Sequence, residues 1–351
     1  MTTAGRPVFI IAEAGSNWRM GSSTRDLAMA RALVDAAVTA GADAVKFQTF
    51  RVSDLYVAHA GPSDYLSAAG ITRSVNEVMA DLEMPYEMVG EIAAYCESVG
   101  IEFMSTAFSP QDVYAVDPYV RRHKVASYEV NHVRLLECLA ATGKPIVMST
   151  GAATMDDIAF GLTTLREAGA EDVTLLHCTA AYPAPIGSLN LSAITTLRGA
   201  FRVEVGLSDH SRDPLVAPVM AVALGATYIE KHFTLDNQLP GPDHAFAITA
   251  DELSRLVTAV RSAESARGSG QKVVTDPEKE LRNFAVRAVQ ARRDIRRGDE
   301  LVEGGNIEVL RPGNRSRGMH PRLLHELRGR RAARDIATGD GVTEEDVDPP
   351  F

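Results

Sequence analysis

The sequence predicts an α/β protein with a (β/α)8 TIM barrel followed by a small β-rich domain. Up to about residue 267, short β-branched runs alternate with stretches of helical apolar spacing, and about eight such units occur. Eight βα units is the number that closes a parallel barrel. Beyond a polar stretch, the remaining residues carry a weak internal repeat, which indicates a separate unit.

Each predicted strand is a short apolar run bounded by polar turns. The eight strands are predicted at residues 8–12, 44–48, 102–105, 123–126, 145–149, 173–177, 202–207 and 228–230. Helical patterns lie between them, as at residues 24–40, 86–99, 155–168 and 214–224. A doubly wound open sheet is the alternative, but the turn at residues 14–17 lacks the Gly-x-Gly-x-x-Gly pattern of that fold.

The predicted domains are the barrel at residues 1–267, a linker rich in Gly, Lys and Glu at 268–283, and the small domain at 284–351. Within the small domain, residues 291–299 resemble residues 332–340, and an acidic turn follows each copy. Two related halves of a turn-rich β domain would explain this repeat.

Composition excludes several classes of function. A net charge of -10 and a pI near 5.4 argue against general nucleic-acid binding. The N-terminus has no secretory pattern, and the apolar run at 215–226 is too short to span a bilayer, so we expect no membrane association. The cysteines, at positions 96, 138 and 178, lack paired spacing, which agrees with a reducing, cytoplasmic location.

Polar residues recur at the ends of the predicted strands, where the active sites of such barrels lie. They are Glu13, Lys46, Gln48, Ser105, Thr106, Lys124, Ser127, Ser149, Thr150, His177, Thr179, Ser208, Asp209, His210, Glu230 and His232. An unpaired ammonium inside a buried strand is unfavourable, so Lys46 and Lys124 indicate a bound anion. The alternative is that both lysines pair with structural carboxylates. The hydroxyls and the N–H groups of Thr150 and Gly151 suit phosphate oxygens.

His210 and His232 end neighbouring strands, so their imidazoles are predicted to hold a divalent metal, with Asp209 and Glu230 beside them. Oxygen-rich surroundings favour Mn²⁺ or Mg²⁺ over zinc. Cys178 follows His177 on an alternating strand, and we expect its thiol to face away from the site.

Eight segments together carry a resemblance to a known family. They are IAE at 11–13, GADAVKFQT at 41–49, FMST at 103–106, PIVMSTG at 145–151, LHCTAAYP at 176–183, GLSDH at 206–210, EKHFT at 230–234 and GPDH at 241–244. Over almost its entire length the chain resembles the N-acetylneuraminate (sialic acid) synthases and their relatives for other nine-carbon acid sugars. The part from residue 284 resembles that family's antifreeze-like (SAF) domain.

The resemblance implies metal-dependent condensation of phosphoenolpyruvate with the aldehyde of an amino sugar, giving a nonulosonic 2-keto acid and phosphate. Phosphoenolpyruvate would be held by Lys46, Gln48, Thr106, Lys124, Ser127, Ser149 and Ser208. His210 and His232 would hold the metal, which polarises the aldehyde oxygen. Glu13 or Glu129 would move the protons of the water that adds at C2, and Tyr182 and Asp243 would face the sugar.

Arg311, in the segment VLRPG at 309–313, is expected from the resemblance to reach into the active site of a partner subunit. Such a reach implies a domain-swapped homodimer. The alternative is that Arg311 contacts its own domain.

Departures from the sialic acid synthase pattern lie on the sugar side of the expected site. Residues 17–21 read NWRMG where Asn-His-Asn-Gly is usual, and Tyr128 stands where Gly is usual. Gly70 and Ala180 replace residues that can contact the sugar. Two other functions remain open: a Schiff-base aldolase that uses Lys124, and a non-catalytic sugar-binding relative.

Overall fold

The computed structural model describes residues 6–62 and 72–350. It contains two compact units, Met1–Ser269 and Gly270–Phe351. In the first, eight parallel strands pair in chain order, and β1 also pairs with β8, so the sheet closes into the predicted barrel. These strands are β1 (Phe9–Gly15), β2 (Ala44–Thr49), β3 (Glu102–Ala107), β4 (His123–Val125), β5 (Ile146–Ser149), β6 (Val173–Cys178), β7 (Glu204–Asp209) and β8 (Tyr228–Thr234).

Helices surround the barrel and bury its outer apolar side chains. They are α1 (Ser23–Ala40), α2 (Val52–Leu55), α3 (Val75–Asp81), α4 (Tyr86–Val99), α5 (Pro110–Val116), α6 (Val133–Ala141), α7 (Met155–Glu167), α8 (Ala193–Phe201), α9 (Val216–Ala223) and α10 (Ala250–Arg267). A two-residue strand, β9 (Ile248–Thr249), leads into α10. None of the described helices is both long and apolar enough to cross a membrane.

The amino-terminal end of the barrel is closed by packed side chains. The guanidinium of Arg122 lies 4.2 Å from the centre of the Phe9 ring, pairs with Glu102 at 2.7 Å and donates to the hydroxyl of Tyr228. Above this plug, Met104 fills the barrel interior and is fully buried. Met104 therefore separates this closed end from the polar groups at the carboxyl ends of the strands.

The second unit has its own small core. Helix α11 (Lys279–Ala285) precedes two short antiparallel pairs, β10 (Ala288–Ala291) with β11 (Ile307–Leu310), and β12 (Arg331–Ala332) with β13 (Val347–Asp348). The predicted linker 268–283 is thus helical near its end.

The internal repeat predicted for this unit has a structural counterpart. Ile295 and Ile336, at equivalent positions of the two copies, exchange a reciprocal pair of backbone hydrogen bonds. The equivalent aspartates each cap the other copy, since Asp294 accepts from Thr338 and Asp335 accepts from the N–H of Arg297. The two copies are therefore paired halves of one small β unit.

Candidate active site

Two buried lysines lie at the carboxyl end of the barrel, at the positions that the sequence indicated. Lys46 on β2 pairs with Glu13 on β1 at 2.7 Å and donates to Thr106 Oγ1 at 3.0 Å. Glu13 also accepts from the amide of Gln48 at 3.1 Å. Because neighbouring parallel strands are in register at Glu13 and Lys46, their side chains project to the same side of the sheet.

Lys124 on β4 has a longer carboxylate contact than Lys46, with Glu230 at 3.8 Å. Its ammonium donates to Ser149 Oγ at 2.7 Å and to the carbonyl of Val125 at 2.9 Å. Burial lowers the pKa of Lys124, although Glu230 opposes the shift. An ammonium with hydroxyl and carbonyl partners and little countercharge is a strong site for an anion.

Glu230 on β8 lies between the two lysines, whereas the sequence placed it beside the histidines and did not connect it with the lysines. Its Oε1 is 3.8 Å from the Nζ atoms of both Lys46 and Lys124, and it accepts from Ser208 Oγ at 3.2 Å. Its Oε2 is buried without a hydrogen-bond partner. Glu230 lies two residues before His232 on the same strand. Because alternate residues of a strand share a face, this spacing indicates that Glu230 faces the site.

Glu129 follows β4 in a 3-10 turn, Ser127–Glu129, and forms no ion pair with the described residues. Its Oε2 is buried and has no hydrogen-bond partner among the residues that the structure describes. Burial raises the pKa of Glu129 to about 7, with Lys124 opposing the shift. This carboxyl can therefore hold a proton or release it near neutral pH.

His210 and His232 come together as predicted, with ring centres 5.3 Å apart. Burial lowers the pKa of both, to about 4 for His210, so both imidazoles are neutral at pH 7. Nδ1 of His210 lies 3.2 Å from the carbonyl of Thr179, which makes Nδ1 the protonated nitrogen and leaves Nε2 with its lone pair. Neutral, buried imidazoles fit a divalent metal. Among the described residues, no cluster of three or more His, Cys, Asp or Glu has the geometry of a metal site.

Asp209 does not lie beside these histidines, contrary to our prediction. It faces the opposite side of β7, where it pairs with the buried ammonium of Lys231 at 2.6 Å and accepts from Ser211. Lys231 and Asp209 alternate with the inward residues His232 and Ser208, so this ion pair belongs to the layer between barrel and helices.

The prediction for Cys178 was also wrong. Its sulfur lies 3.6 Å from Nδ1 of His210, inside the site, whereas the ring of His177 turns away and bonds to the carbonyl of Leu189. Successive side chains of β6 do alternate between the two faces as expected. However, Cys178 faces the site and His177 faces away, which is the reverse of our prediction. Cys178 pairs in register with Ser208, and register partners on neighbouring strands share a face.

Tyr182 and Asp243 lie on the histidine side of the site. The Tyr182 ring packs against His210 at 4.4 Å between centres. The carboxylate of Asp243 accepts from Ser16 Oγ at 3.1 Å and lies 3.9 Å from Nδ1 of His232. Gly15 is required here, because its φ is +51° and a Cβ would lie 2.7 Å from Asp243 Oδ2.

The remaining predicted residues lie partly in the barrel and partly in the second unit. Ser127 Oγ accepts from the N–H of Gly151 at 2.9 Å, so it lies on the lysine side of the site. Thr150 donates to the carbonyl of Leu176 and supports the barrel instead. Arg311 lies in the second unit, is exposed, and has no hydrogen bond or ion pair to the described residues.

The unusual residues after β1 have structural roles. Trp18 is buried in the core, and Arg19 pairs with Asp26 at 2.6 Å and with Asp81 at 2.9 Å. Tyr128, by contrast, is exposed. Gly70 lies outside the described residues.

Both units of the chain are similar in sequence to known protein families. Residues 33–272 match the NeuB family, and residues 286–348 match the SAF domain. The spore coat polysaccharide biosynthesis protein SpsE of Bacillus subtilis is 40% identical, with 98% of this chain and 95% of SpsE aligned. A pseudaminic acid synthase of Campylobacter jejuni is 38% identical, with 97% of each chain aligned.

A solved structure extends the likeness to three dimensions. The N-acetylneuraminic acid (sialic acid) synthetase of Leptospira borgpetersenii, in complex with citrate, superposes with a TM-score of 0.69 and 29% identity. The alignment covers 80% of this chain and 93% of that chain.

The raised pKa of Glu129 predicts a pH-dependent stability difference. Between its ordinary value of 4.5 and about 7, the unfolded chain releases this proton while the folded barrel retains it, so stability falls as pH rises through that window. Glu129→Gln should therefore be more stable than the parent by up to about 3 kcal/mol at pH 8, and by much less at pH 5. Urea unfolding followed through the fluorescence of the single tryptophan, Trp18, measures the difference.

The matched control is Glu97→Gln, which changes an exposed carboxylate on α4. It should show little dependence on pH. Parallel pH profiles for Glu129→Gln and the parent protein would contradict the assignment of a buried, protonated Glu129.

Proposed function

The chain belongs to the NeuB family, and from that premise we propose that it condenses phosphoenolpyruvate with the aldehyde of an amino sugar. The products would be a nonulosonic, sialic-acid-like 2-keto acid and phosphate. The observation that carries the proposal is the pair of buried lysines, Lys46 and Lys124, at a barrel end rich in hydroxyl groups. Phosphoenolpyruvate has a carboxylate and a phosphate, which suit two separated cations.

The phosphoenolpyruvate site that we propose uses the donors around the lysines. They are the two ammonium groups, the amide of Gln48 and the hydroxyls of Thr106, Ser127, Ser149 and Ser208. The two lysine ammonium groups suit the two anionic groups of phosphoenolpyruvate. Ser149 and Val125 already engage the ammonium of Lys124 through hydrogen bonds, which counts against its use as a nucleophile.

We propose that His210 and His232 hold a divalent cation, Mn²⁺ or Mg²⁺, whose chemical contribution is Lewis-acid polarisation of the aldehyde oxygen. Their proximity and neutral state support this assignment. Tyr182 packs over His210 and limits the access of water to it. Asp243, beside His232, is suited to bind a sugar hydroxyl.

In the reaction, C3 of phosphoenolpyruvate attacks the aldehyde carbon, water adds at C2, and phosphate leaves with cleavage of the C2–O bond. We assign Glu129 Oε2 as the group that accepts the proton of the water, because it is buried, unpaired and has a pKa of about 7. Glu13 is held by Lys46 and Gln48, which suits it to positioning or a second proton transfer.

We further propose a domain-swapped homodimer in which Arg311 enters the acceptor side of a second copy's site. Arg311 is exposed and unpaired among the described residues. Apolar side chains are also exposed in the same unit, at Leu281, Phe284, Val286 and Leu310. Exposed apolar groups beside a free arginine are typical of an interface core and its anchor. The three cysteines are free, in keeping with a cytoplasmic enzyme.

Replacing Lys46 or Lys124 by Met should weaken phosphoenolpyruvate binding by about 1.5–3 kcal/mol for each charged hydrogen bond that is lost. Methionine keeps the unbranched stem and removes the charge. Isothermal titration calorimetry measures the affinity, and Lys279→Met, at an exposed position of α11, is the control. Unchanged affinity in both barrel variants would contradict the anion site.

His210→Ala and His232→Ala should each abolish turnover and weaken Mn²⁺ binding at least about tenfold, since even indirect changes at metal sites reach that size. Electron paramagnetic resonance of free Mn²⁺ reports binding independently of activity. His177→Ala is the matched control, because His177 ends β6 but faces away. A variant that retains Mn²⁺ affinity at either inward histidine would rule out the metal assignment.

The swapped dimer predicts complementation between two inactive variants. Mixing His210→Ala with Arg311→Ala gives heterodimers in which one site has both an intact barrel and an intact incoming arginine. With random exchange, half of the dimers are mixed and half of their sites are restored, so about a quarter of the activity should return. Native mass spectrometry verifies exchange. If subunits exchange and no activity returns, Arg311 does not act across a dimer.

A further inference from the structure

The pairing between β7 and β8 ends one residue before each of the two inward histidines. The last register partners of these strands are Asp209 and Lys231. His232 lies on a strand that continues to Thr234 and also pairs with β1. His210, by contrast, lies beyond the end of β7 and takes part in no strand pairing among the described residues. Its position therefore depends on the turn that follows β7 rather than on the barrel sheet.

One buried side chain from β8 holds this turn. The ammonium of Lys231 donates to Asp209 Oδ2 at 2.6 Å and to Ser211 Oγ at 3.2 Å. It also donates to the carbonyls of Ser211 and Asp213, the latter at 2.9 Å. Lys231, Asp209 and Ser211 are all buried. Because an ammonium has three hydrogens, these acceptors use its whole capacity and leave no donor for a ligand.

Asp209 closes the same turn on itself. Its Oδ1 accepts from the N–H of Ser211 at 2.8 Å, and its Oδ2 accepts from the Ser211 hydroxyl at 3.1 Å. Two residues on, Asp213 Oδ1 accepts from the N–H groups of residues 215 and 216, where α9 begins. The turn 209–213 is thus one hydrogen-bonded structure that Lys231 joins to β8, and His210 lies inside it.

The segment after β6 holds His210 from the other side. The carbonyl of Thr179 lies 3.2 Å from the imidazole Nδ1 of His210, and the N–H of Ala184 donates to the backbone carbonyl of His210 at 2.9 Å. The hold from the β8 side, on which His232 lies, comes from Lys231.

A buried ion pair is not needed to stabilise the layer between barrel and helices. Desolvation of the two charges offsets much of their attraction, so well-packed apolar residues often stabilise a protein equally well. Apolar side chains cannot, however, donate to the carbonyls of Ser211 and Asp213. The geometry of the turn therefore explains the ion pair better than stability does.

We propose that Lys231 is a positioning residue for the metal site. With Asp209 as its counter-ion, it holds the turn 209–213 so that the imidazole of His210 faces that of His232. This inference rests on the proposed function, which assigns the two imidazoles to a divalent cation. The lysine side of the site should not depend on this hold, because Ser208 and Glu230 are register partners within the sheet.

The first test replaces the ion pair by a neutral pair, Lys231→Met with Asp209→Asn. This double variant leaves no uncompensated buried charge and removes the bonds from position 231 to the turn. Its affinity for Mn²⁺, measured by electron paramagnetic resonance of the free ion, should fall about ten- to a hundredfold, as is typical when a residue that orients a metal ligand is lost. Calorimetry on the metal-free protein should show unchanged affinity for phosphoenolpyruvate.

A series on the Asp209→Asn background separates the hold on the turn from the charge pair. Asp209→Asn alone keeps Lys231, and adding Lys231→Gln or Lys231→Met reduces the N–H donors at this position from three to two or none. The ion pair is absent from all three variants, so Mn²⁺ affinity should fall in that order. If the methionine variant does not fold, the comparison of Lys231→Gln with the single variant still decides. Equal Mn²⁺ affinity in the folded variants overturns the role of Lys231.

The control for general destabilisation is Arg122→Met with Glu102→Gln, which removes an ion pair at the closed end of the barrel. This variant should unfold at a lower temperature, followed through Trp18 fluorescence, and should keep its Mn²⁺ affinity. A loss of Mn²⁺ affinity as large as that of the Lys231→Met double variant would mean that affinity merely follows stability, which contradicts a positioning role.

His210→Ala separates this inference from the proposed function. If the parent protein binds Mn²⁺ and His210→Ala does not, the metal assignment stands, and full Mn²⁺ affinity in the folded Lys231→Met double variant then overturns the inference alone. If the parent protein binds no Mn²⁺, the proposed metal site fails, and the inference that rests on it fails too.

Discussion

The burial of two lysine ammonium groups at one end of the barrel determines much of the surrounding structure. Each ammonium must be compensated within a few ångströms, because an isolated buried charge is strongly unfavourable. Lys46 has Glu13 at 2.7 Å, and Glu230 lies 3.8 Å from both lysines. Lys124 and Lys46 hold the pKa of the Glu230 carboxyl below its ordinary value, against the effect of burial. Lys124 keeps the smaller share of countercharge, so it is the better place for an incoming anion.

The closed amino-terminal end of the barrel makes this arrangement possible. Arg122, Glu102 and Tyr228 fill that end with an internally satisfied group, so water and ligands reach the lysines from the other end. The neutral histidines then lie on the far side of Glu230 from the lysines along β7 and β8. The site is thereby divided into a cationic half and a half with imidazoles, carboxyls and aromatic rings. This division suits the binding of two substrates that differ in charge better than the binding of a single substrate.

The sequence predicted the barrel well because each strand is a compact apolar run and each helix has a clear period. It also located both lysines and both histidines, since a polar residue at a strand end is conspicuous. It predicted the wrong face for both Cys178 and Asp209. The inward phase of a strand depends on register with its neighbours, and Cys178 opposite Ser208 is known only once β6 and β7 are paired. Glu230 was placed beside the histidines but not between the lysines, because that position depends on two lysines from distant strands.

The departures on the sugar side have a physical explanation in the segment after β1. Trp18 and Arg19 are used for packing and for ion pairs with Asp26 and Asp81, so this segment cannot also supply polar contacts to a sugar. Such contacts must come from other loops. The loop with Asp243 reaches over Gly15 to the histidines, and the turn with Tyr128 brings a ring to the opposite side. Polar groups are thus fewer at one loop and an aromatic ring is present at another, so both departures from the sialic acid synthase pattern fall on the acceptor side that we propose.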